Sequence, residues 1–288
     1  MAVFYNQATL SYQNTSVASN VVSGEILDVL SAQKTAFPVE YAVGDATNGT
    51  ITYVISLVNT GSVALTGLTV TDDLGAYPFG SGQAVPLTYV DGSVRYYQNG
   101  VLQAAPTVTA GAPLVFSGVS VPAGGNAILV YDATVNAFAP PGIGSSIINT
   151  ATVTGLGIGE GVTASAEIGA RGGPALSISK SVSPSAVAEN EQLTYTFIIE
   201  NRGNEAAVAT DNLVVTDLFS PILRNLSVTL DGVMLSEPTD YTYSEASGLF
   251  TTVQSRITVP AATYVQDPVS GEWSFTPGTA TLRVTGTV

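Results

Sequence analysis

Cysteine and histidine are both missing from this 288-residue chain. Their absence removes disulfides, thiolate nucleophiles, the common zinc ligand sets and any Ser-His-Asp triad. Covalent stapling, if the chain uses it, must come from other chemistry. Charge is scarce too: Asp, Glu, Lys and Arg make up 10% of residues, and 8 basic against 22 acidic side chains give a formal net charge of -14. Eight dispersed cations offer no track for a phosphate backbone, which excludes nucleic-acid binding. No apolar run approaches the roughly 20 residues of a membrane span, so no membrane insertion is expected. The N-terminus lacks a basic segment followed by a hydrophobic core, so no classical signal peptide is read there, and export is expected to be unconventional or by cell lysis.

What is present is 45% hydrophobic residues with 29 Gly and 15 Pro, enough for two ordinary cores. Thr, Val, Tyr and Ser are abundant, and apolar residues alternate between closely spaced turn signals. That pattern predicts an all-β protein without a substantial helix.

The chain also repeats itself. LSAQK (30–34) recurs as LSISK (176–180), TYVISLVNTG (52–61) as TYTFIIENRG (194–203), and LTVTDDL (68–74) as LVVTDLF (213–219). Asn99-Gly100 and Asp231-Gly232 are matching two-residue hairpin signals. VPAGGNAILVYDATV (121–135) aligns with PGTATLRVTGTV (277–288), and TYVQDPVSGEWSF (263–275) reads as an extra hairpin in the second copy. Its Trp273, the sole tryptophan, is read as core packing or cover for an edge, the alternative being a ligand platform. The repetition predicts two tandem immunoglobulin-like β-sandwiches, at 27–170 and 171–288. The strand pair IINTATVTG (147–155) and GVTASAEI (161–168) has no later copy, so the second sandwich is expected to lack its last strand. A copy does occur at the start, as FYNQATLSY (4–12) and SNVVSGEI (19–26), which marks residues 1–26 as donor strands.

GLGIGEG (155–161) precedes a strand pattern and reads as an inter-strand loop, since a phosphate loop requires a following helix. No D-x-D-x-D-G loop occurs, and Asp72-Asp73 and Asp91-Gly92 read as turn residues. No metal and no cofactor is expected.

The chain has two lysines, Lys34 and Lys180, and they fall at the same place in the two repeats. Counting by two puts Lys34 on the face of Leu30 and Ala32, Asp72 on that of Leu68 and Val70, and Asn149 on that of Ile147, Ala151 and Val153. In the second repeat Lys180 and Asp217 face the core alike, and in the first strand Asn6 shares a face with Phe4, Ala8 and Leu10. A buried ammonium needs neutralising. Desolvation favours the uncharged forms of both partners, a free amine beside a protonated carboxyl. Such an amine can attack an Asn amide while the carboxyl shuttles protons, releasing ammonia and leaving an isopeptide bond. The alternative is a buried Lys-Asp pair with Asn as a strand-end cap.

The motifs TYVISLVNTG, LTVTDDL and IINTATVTG, with their second-repeat counterparts, resemble the conserved-repeat surface domain of bacteria and archaea, domain-of-unknown-function family number eleven. The resemblance implies extracellular Ig-like modules. Gram-positive pilin and adhesin modules similar in fold carry Lys-Asn or Lys-Asp bonds promoted by an acid. Carried over, this makes Lys34, Asp72 and Asn149 the set of the first domain, and Lys180 with Asp217 the set of the second, its Asn missing. The two-domain plan looks like a subunit of the appendages on endospores of anaerobic spore formers.

These readings converge on a structural subunit of an extracellular filament on a cell or spore surface. Its partner is another copy of itself, joined head to tail by donor-strand complementation. Asn6 should then bond to Lys180 of the next subunit with Asp217 as promoter, because a linker of three residues spans about 10 Å and, unless the two domains fold back on each other, cannot carry Asn6 to its own second domain. The alternatives are a monomeric adhesin or stalk module and, more remotely, a glycosidase, which needs convergent carboxylates in a cleft. Beyond autocatalytic bond formation, no enzyme activity is expected.

Overall fold

The computed structural model describes the chain apart from residues 1, 14, 27–28, 45–48, 157 and 159–160, and apart from the side chains of 2–4 and 25–26. The Phe4 side chain, Leu27 and Asp28 of the expected linker, and Gly157, Gly159 and Glu160 of the glycine-rich loop thus lie outside the described residues. The architecture is all-β, with a single short 3-10 turn, Ala209–Asp211, among the described residues.

Two six-stranded sheets enclose the first core. One runs in the order Val101–Gln103, Arg95–Gln98, Asn126–Val135, Thr50–Asn59, Leu30–Phe37, with Leu87–Tyr89 also paired to Asn126–Val135. The other runs Thr107–Thr109, Leu114–Val121, Leu65–Asp72, Ser146–Thr154, Val162–Ala170, Glu40–Tyr41. Alternation is close to ideal: in Asn126–Val135 every second residue is buried. The inward set, including Tyr53, Ile55, Leu68, Phe116, Leu129 and Tyr131, is fully enclosed. Each such side chain contributes about 1.5–3 kcal/mol by leaving water.

A second core sits between a five-stranded sheet and a three-stranded one. The larger has the order Leu176–Ser183, Gln192–Asn201, Gly278–Thr287, Arg224–Leu230, Val233–Met234; the smaller has Thr216–Leu218, Leu249–Thr252, Tyr241–Ser244. Both turns expected at Asn99-Gly100 and Asp231-Gly232 form, with positive φ at all four residues. Asn, Asp and Gly tolerate that conformation, and it matches the twist of a two-residue hairpin.

The repeat extends to an asparagine that the periodicity did not single out. Asn59 and Asn201 are fully buried. Each accepts from the glycine amide two residues on, Gly61 or Gly203, at 2.9 Å. Each also donates to a proline carbonyl, Pro122 at 3.1 Å or Pro260 at 3.0 Å. This equivalence corrects the alignment of the last strands: Val121-Pro122 matches Val259-Pro260, which precede the inserted hairpin, rather than Pro277. The pairing of Ala207 with Val259, matching Leu65 with Val121, agrees. Because each amide satisfies buried backbone groups, Asn201→Ala should destabilise the second core by about 1–3 kcal/mol, read by urea denaturation. An unchanged midpoint would show that water replaces the amide.

The inserted hairpin, Thr263–Gln266 with Trp273–Thr276, reaches back to the first core. Trp273 donates its backbone N–H to Ala137 O at 2.7 Å, and Gln266 Nε2 donates to the Tyr77 hydroxyl at 3.2 Å. Trp273 therefore covers a junction between the two cores, with its Nε1 buried and without a hydrogen-bond partner among the described residues.

The N-terminal segment forms two strand pairs, Ala2–Asn6 with Val22–Ile26 and Thr9–Tyr12 with Thr15–Ala18, and among the described residues neither joins another sheet. Side chains 5–13 and 15–23 are exposed, among them Tyr5, Leu10, Tyr12 and Val17. A lone hairpin is marginal in water, and exposed aromatic and aliphatic side chains are a characteristic of docking segments. Its pairing is displaced by two residues from that of its counterpart: Asn6 stands opposite Val22, while Asn149 stands opposite Ala166, the match of Gly24. An even displacement leaves each side chain on the same face.

Candidate functional site

Four strands bring the first site together. Leu30–Phe37 carries Lys34, and Leu65–Asp72 carries Asp72 at its end. Ser146–Thr154 carries Asn149, and Asn126–Val135 carries Tyr131. Inward alternation places all four side chains in the core, where Lys34, Asp72, Asn149 and Tyr131 are buried.

They form a continuous chain of hydrogen bonds. Lys34 Nζ donates to Asp72 Oδ2 at 2.7 Å. The Tyr131 hydroxyl donates to the same oxygen at 2.6 Å, and Asn149 Nδ2 donates to the Tyr131 hydroxyl at 3.1 Å. Asp72 Oδ1 accepts the Leu74 amide at 3.0 Å, which fixes the carboxylate's orientation. Lys34 lies over the Tyr53 ring, 4.9 Å from its centroid, and that ring stacks on Tyr131 at 5.5 Å. Burial pulls the Lys34 amine below its ordinary pKa, against the pull of Asp72 in the other direction. The cation is thus held by one carboxylate and one aromatic face in a site without solvent.

Within this network the Tyr53 hydroxyl and Asn149 Oδ1 are buried and have no hydrogen-bond partner among the described residues. Burial drives the Tyr53 and Tyr131 hydroxyls well above the ordinary value of 10.0. The Asn149 side chain opposes the shift at Tyr53 without making a hydrogen bond of good geometry to it. Tyr41 is raised by burial in the same way. Groups with a raised folded pKa stabilise the native state fully below their unfolded value, and that stability is lost as pH climbs. Stability should therefore fall above pH 10.0, where the unfolded chain ionises these hydroxyls and the folded core does not. Equal stability at pH 9 and pH 11 would contradict this, and Tyr41→Phe should reduce the slope.

The second site differs. Lys180 donates to Asp217, and its Nζ lies 4.3 Å from the centroid of Tyr195, the match of Tyr53. Its side chain is 39% exposed, against 0% for Lys34. The expectation that both lysines are buried thus holds for Lys34 alone. The reason lies in the neighbours. The strand Leu30–Phe37 is covered by Val162–Ala170, but Leu176–Ser183 is exposed along its whole length, and Ile178 is 56% exposed. In the first core Asp72 pairs with Ala151 and Val70 with Val153. Among the described residues nothing pairs with the equivalent edge at Val215 and Asp217; the strand there bonds on one side, to Leu249–Thr252. What results is an open apolar groove of 210 Å³, lined by Leu176, Ile178, Ile199, Leu213 and Val215. Asn6 is exposed on the separate N-terminal hairpin, which pairs with no strand of the second core.

Sequence reasoning found Lys34, Asp72 and Asn149 but missed Tyr131 and Tyr53. Counting by two places both on core faces, where a tyrosine reads as apolar filling.

No family model matches the chain, and no curated protein does. The resemblance to family eleven is carried by the quoted motifs alone. Solved structures similar in fold include surface pilins and adhesins. The major pilin subunit of Bacillus cereus is 10% identical, with 95% of this chain and 73% of that one covered and a TM-score of 0.35. The pilus backbone of Streptococcus pneumoniae is 12% identical, with 86% and 55% covered and a TM-score of 0.31. The collagen-binding domain from a Staphylococcus aureus adhesin is 10% identical, with 49% and 97% covered and a TM-score of 0.30. The chain spans about half the length of the pneumococcal protein. What the site can do is decided by its own geometry.

Proposed function

We propose that this protein is a structural subunit of an extracellular filament on a cell or spore surface, of the endospore-appendage kind. Subunits join head to tail when the N-terminal hairpin of one copy fills the open groove of the next. The observation that carries this reading is the uncovered strand Leu176–Ser183 beside the free edge at Val215 and Asp217, the two surfaces that Ser146–Thr154 and Val162–Ala170 cover in the first core. The hairpin has the pattern that would fit. Asn6, Ala8 and Leu10 match Asn149, Ala151 and Val153, so strand addition would pair Ala8 with Asp217 and Leu10 with Val215. Donor and acceptor are different surfaces, and a heterologous contact of this kind propagates without closing.

The same reading assigns covalent chemistry to both sites. In the first core the amine of Lys34 attacks the side-chain carbonyl carbon of Asn149, the C–N bond to Nδ2 breaks, and ammonia leaves. Asp72 promotes the step by taking and returning protons. At each junction Asn6 of the incoming hairpin would meet Lys180 with Asp217 as promoter. The protein turns over no external substrate and needs no cofactor.

Deleting residues 1–26 tests the assembly. Negative-stain microscopy should show filaments from the full chain and dispersed particles from the truncated one, with the first core still folded. Fibres of unchanged repeat from the truncated protein would eliminate donor-strand assembly, and a full chain that stays monomeric would favour a stalk or adhesin module.

A further inference from the structure

Among the described residues no hydrogen bond joins Asp72 directly to Asn149. The side-chain group bonded to both is the hydroxyl of Tyr131, which donates to Asp72 Oδ2 at 2.6 Å and accepts from Asn149 Nδ2 at 3.1 Å. Asp72 can take a proton from Lys34, with which it shares a hydrogen bond of 2.7 Å. Ammonia, however, must leave from Nδ2, and an amide nitrogen departs as ammonia when it receives a proton. We infer that Tyr131 is a catalytic residue of the Lys34–Asn149 reaction, relaying the proton from Asp72 to the departing nitrogen.

This inference rests on the isopeptide reading above and adds its missing proton path. One proton passes from the Lys34 ammonium to the Asp72 carboxylate, freeing the amine. The amine attacks Asn149 Cγ, which becomes tetrahedral, so Nδ2 gains a basic lone pair and ceases to donate to Tyr131. The Tyr131 hydroxyl then turns, gives its hydrogen to Nδ2 and takes the proton held by Asp72. The Cγ–Nδ2 bond breaks and ammonia departs. Asp72 collects the second proton from the former lysine nitrogen and ends as a neutral acid beside a neutral amide. Buried charge is absent at the end, which suits a dry core.

Two further features fit a relay. Packing holds the ring in place, stacked on Tyr53 at 5.5 Å and tilted against Phe116 at 5.4 Å, so the hydroxyl can rotate while its oxygen stays between donor and acceptor. The second core lacks the group: Tyr195 pairs with Val284 as Tyr53 pairs with Tyr131, so valine stands in the relay's place. The relay is therefore a property of the first core and its internal bond.

The test is the rate of ammonia loss after pulsed cell-free synthesis of the full chain, followed by intact mass. Wild type should become lighter by one ammonia. Tyr131→Phe keeps the ring and removes the hydroxyl, and should lose ammonia about 100-fold or more slowly, the usual range for a missing general acid, with near-UV circular dichroism unchanged. Fluorotyrosine at position 131, of similar shape and with a more acidic hydroxyl, should restore the loss at a rate different from wild type. A folded Tyr131→Phe protein that loses ammonia as fast as wild type overturns the relay and leaves the bond standing. A folded wild type that loses none overturns the bond and the relay with it. If Tyr131→Phe does not fold, fluorotyrosine decides: a changed rate supports proton transfer through this hydroxyl, and an identical rate overturns it.

Discussion

Lys180→Ala should abolish the detergent-resistant ladder expected of assembled filaments while leaving fibres that fall apart on boiling. Two contributions to the junction are separable. Strand addition would bury apolar hairpin residues such as Leu10 against Leu176 and Ile178 and would satisfy the open edge at Val215 and Asp217. Those interactions survive the substitution. The covalent link does not, because Lys180 is the sole lysine of the second core. Docking would also change the lysine's surroundings. Its side chain is now 39% exposed and that of Asp217 18% exposed. A hairpin laid across both would exclude water and recreate the dry setting of Lys34. Exposure before docking would then be an advantage: the pair stays solvated until a partner arrives, which would confine the reaction to the junction. Peptide mapping of wild-type fibres should recover a branched peptide joining the Asn6 segment to the Lys180 segment. Linear forms of both peptides from boiled, intact ladders would sink the proposal.

Asn149→Ala should produce the other large change, a loss of about 4.7 kcal/mol or more from the first core on the loop-closure model for a cross-link spanning on the order of 100 residues. For a domain of this size that is a fall in melting temperature on the order of 10–20 °C. The variant also leaves Lys34 as a buried amine beside Asp72, and this gives a second readout with a definite sign. The folded pKa of Lys34 lies below its ordinary 10.5 because burial disfavours the cation. In the window between the two values the unfolded chain binds more protons, so stability rises with pH there and is lost as pH falls through the folded value. With the proposed bond in place this nitrogen would be an amide, and the wild type would have no such dependence. Calorimetry of the two proteins side by side should show the slope in the variant alone. Equal melting temperatures, with the wild-type mass unshifted, would leave Lys34 and Asp72 as an ordinary buried ion pair.

Much of this was legible in the chain itself. Strands have a period of two, so the inward facing of Lys34, Asp72 and Asn149 follows from their apolar neighbours. Repetition of LSAQK as LSISK, and of LTVTDDL as LVVTDLF, carries the same geometry to Lys180 and Asp217. Turn chemistry at Asn99-Gly100 and Asp231-Gly232 is local, since left-handed φ restricts which residues can serve, and it needs no tertiary information.

Other features were decided in three dimensions. Whether an inward-facing residue is buried depends on what lies across from it, so Lys34 is enclosed by Val162–Ala170 while Lys180, with the same local sequence, stays open. Tyr131 and Tyr53 satisfy the apolar pattern as hydrophobic rings, and nothing in that pattern shows that one hydroxyl lies between a carboxylate and an amide from two other strands. The inserted hairpin is visible as extra residues, but its hold on Ala137 and Tyr77 joins segments more than a hundred residues apart. Periodicity and turn chemistry act over a few neighbouring residues, and so they are written in the sequence; hydrogen-bond partners and solvent access are set by distances between strands, which the packing of the sheets alone determines.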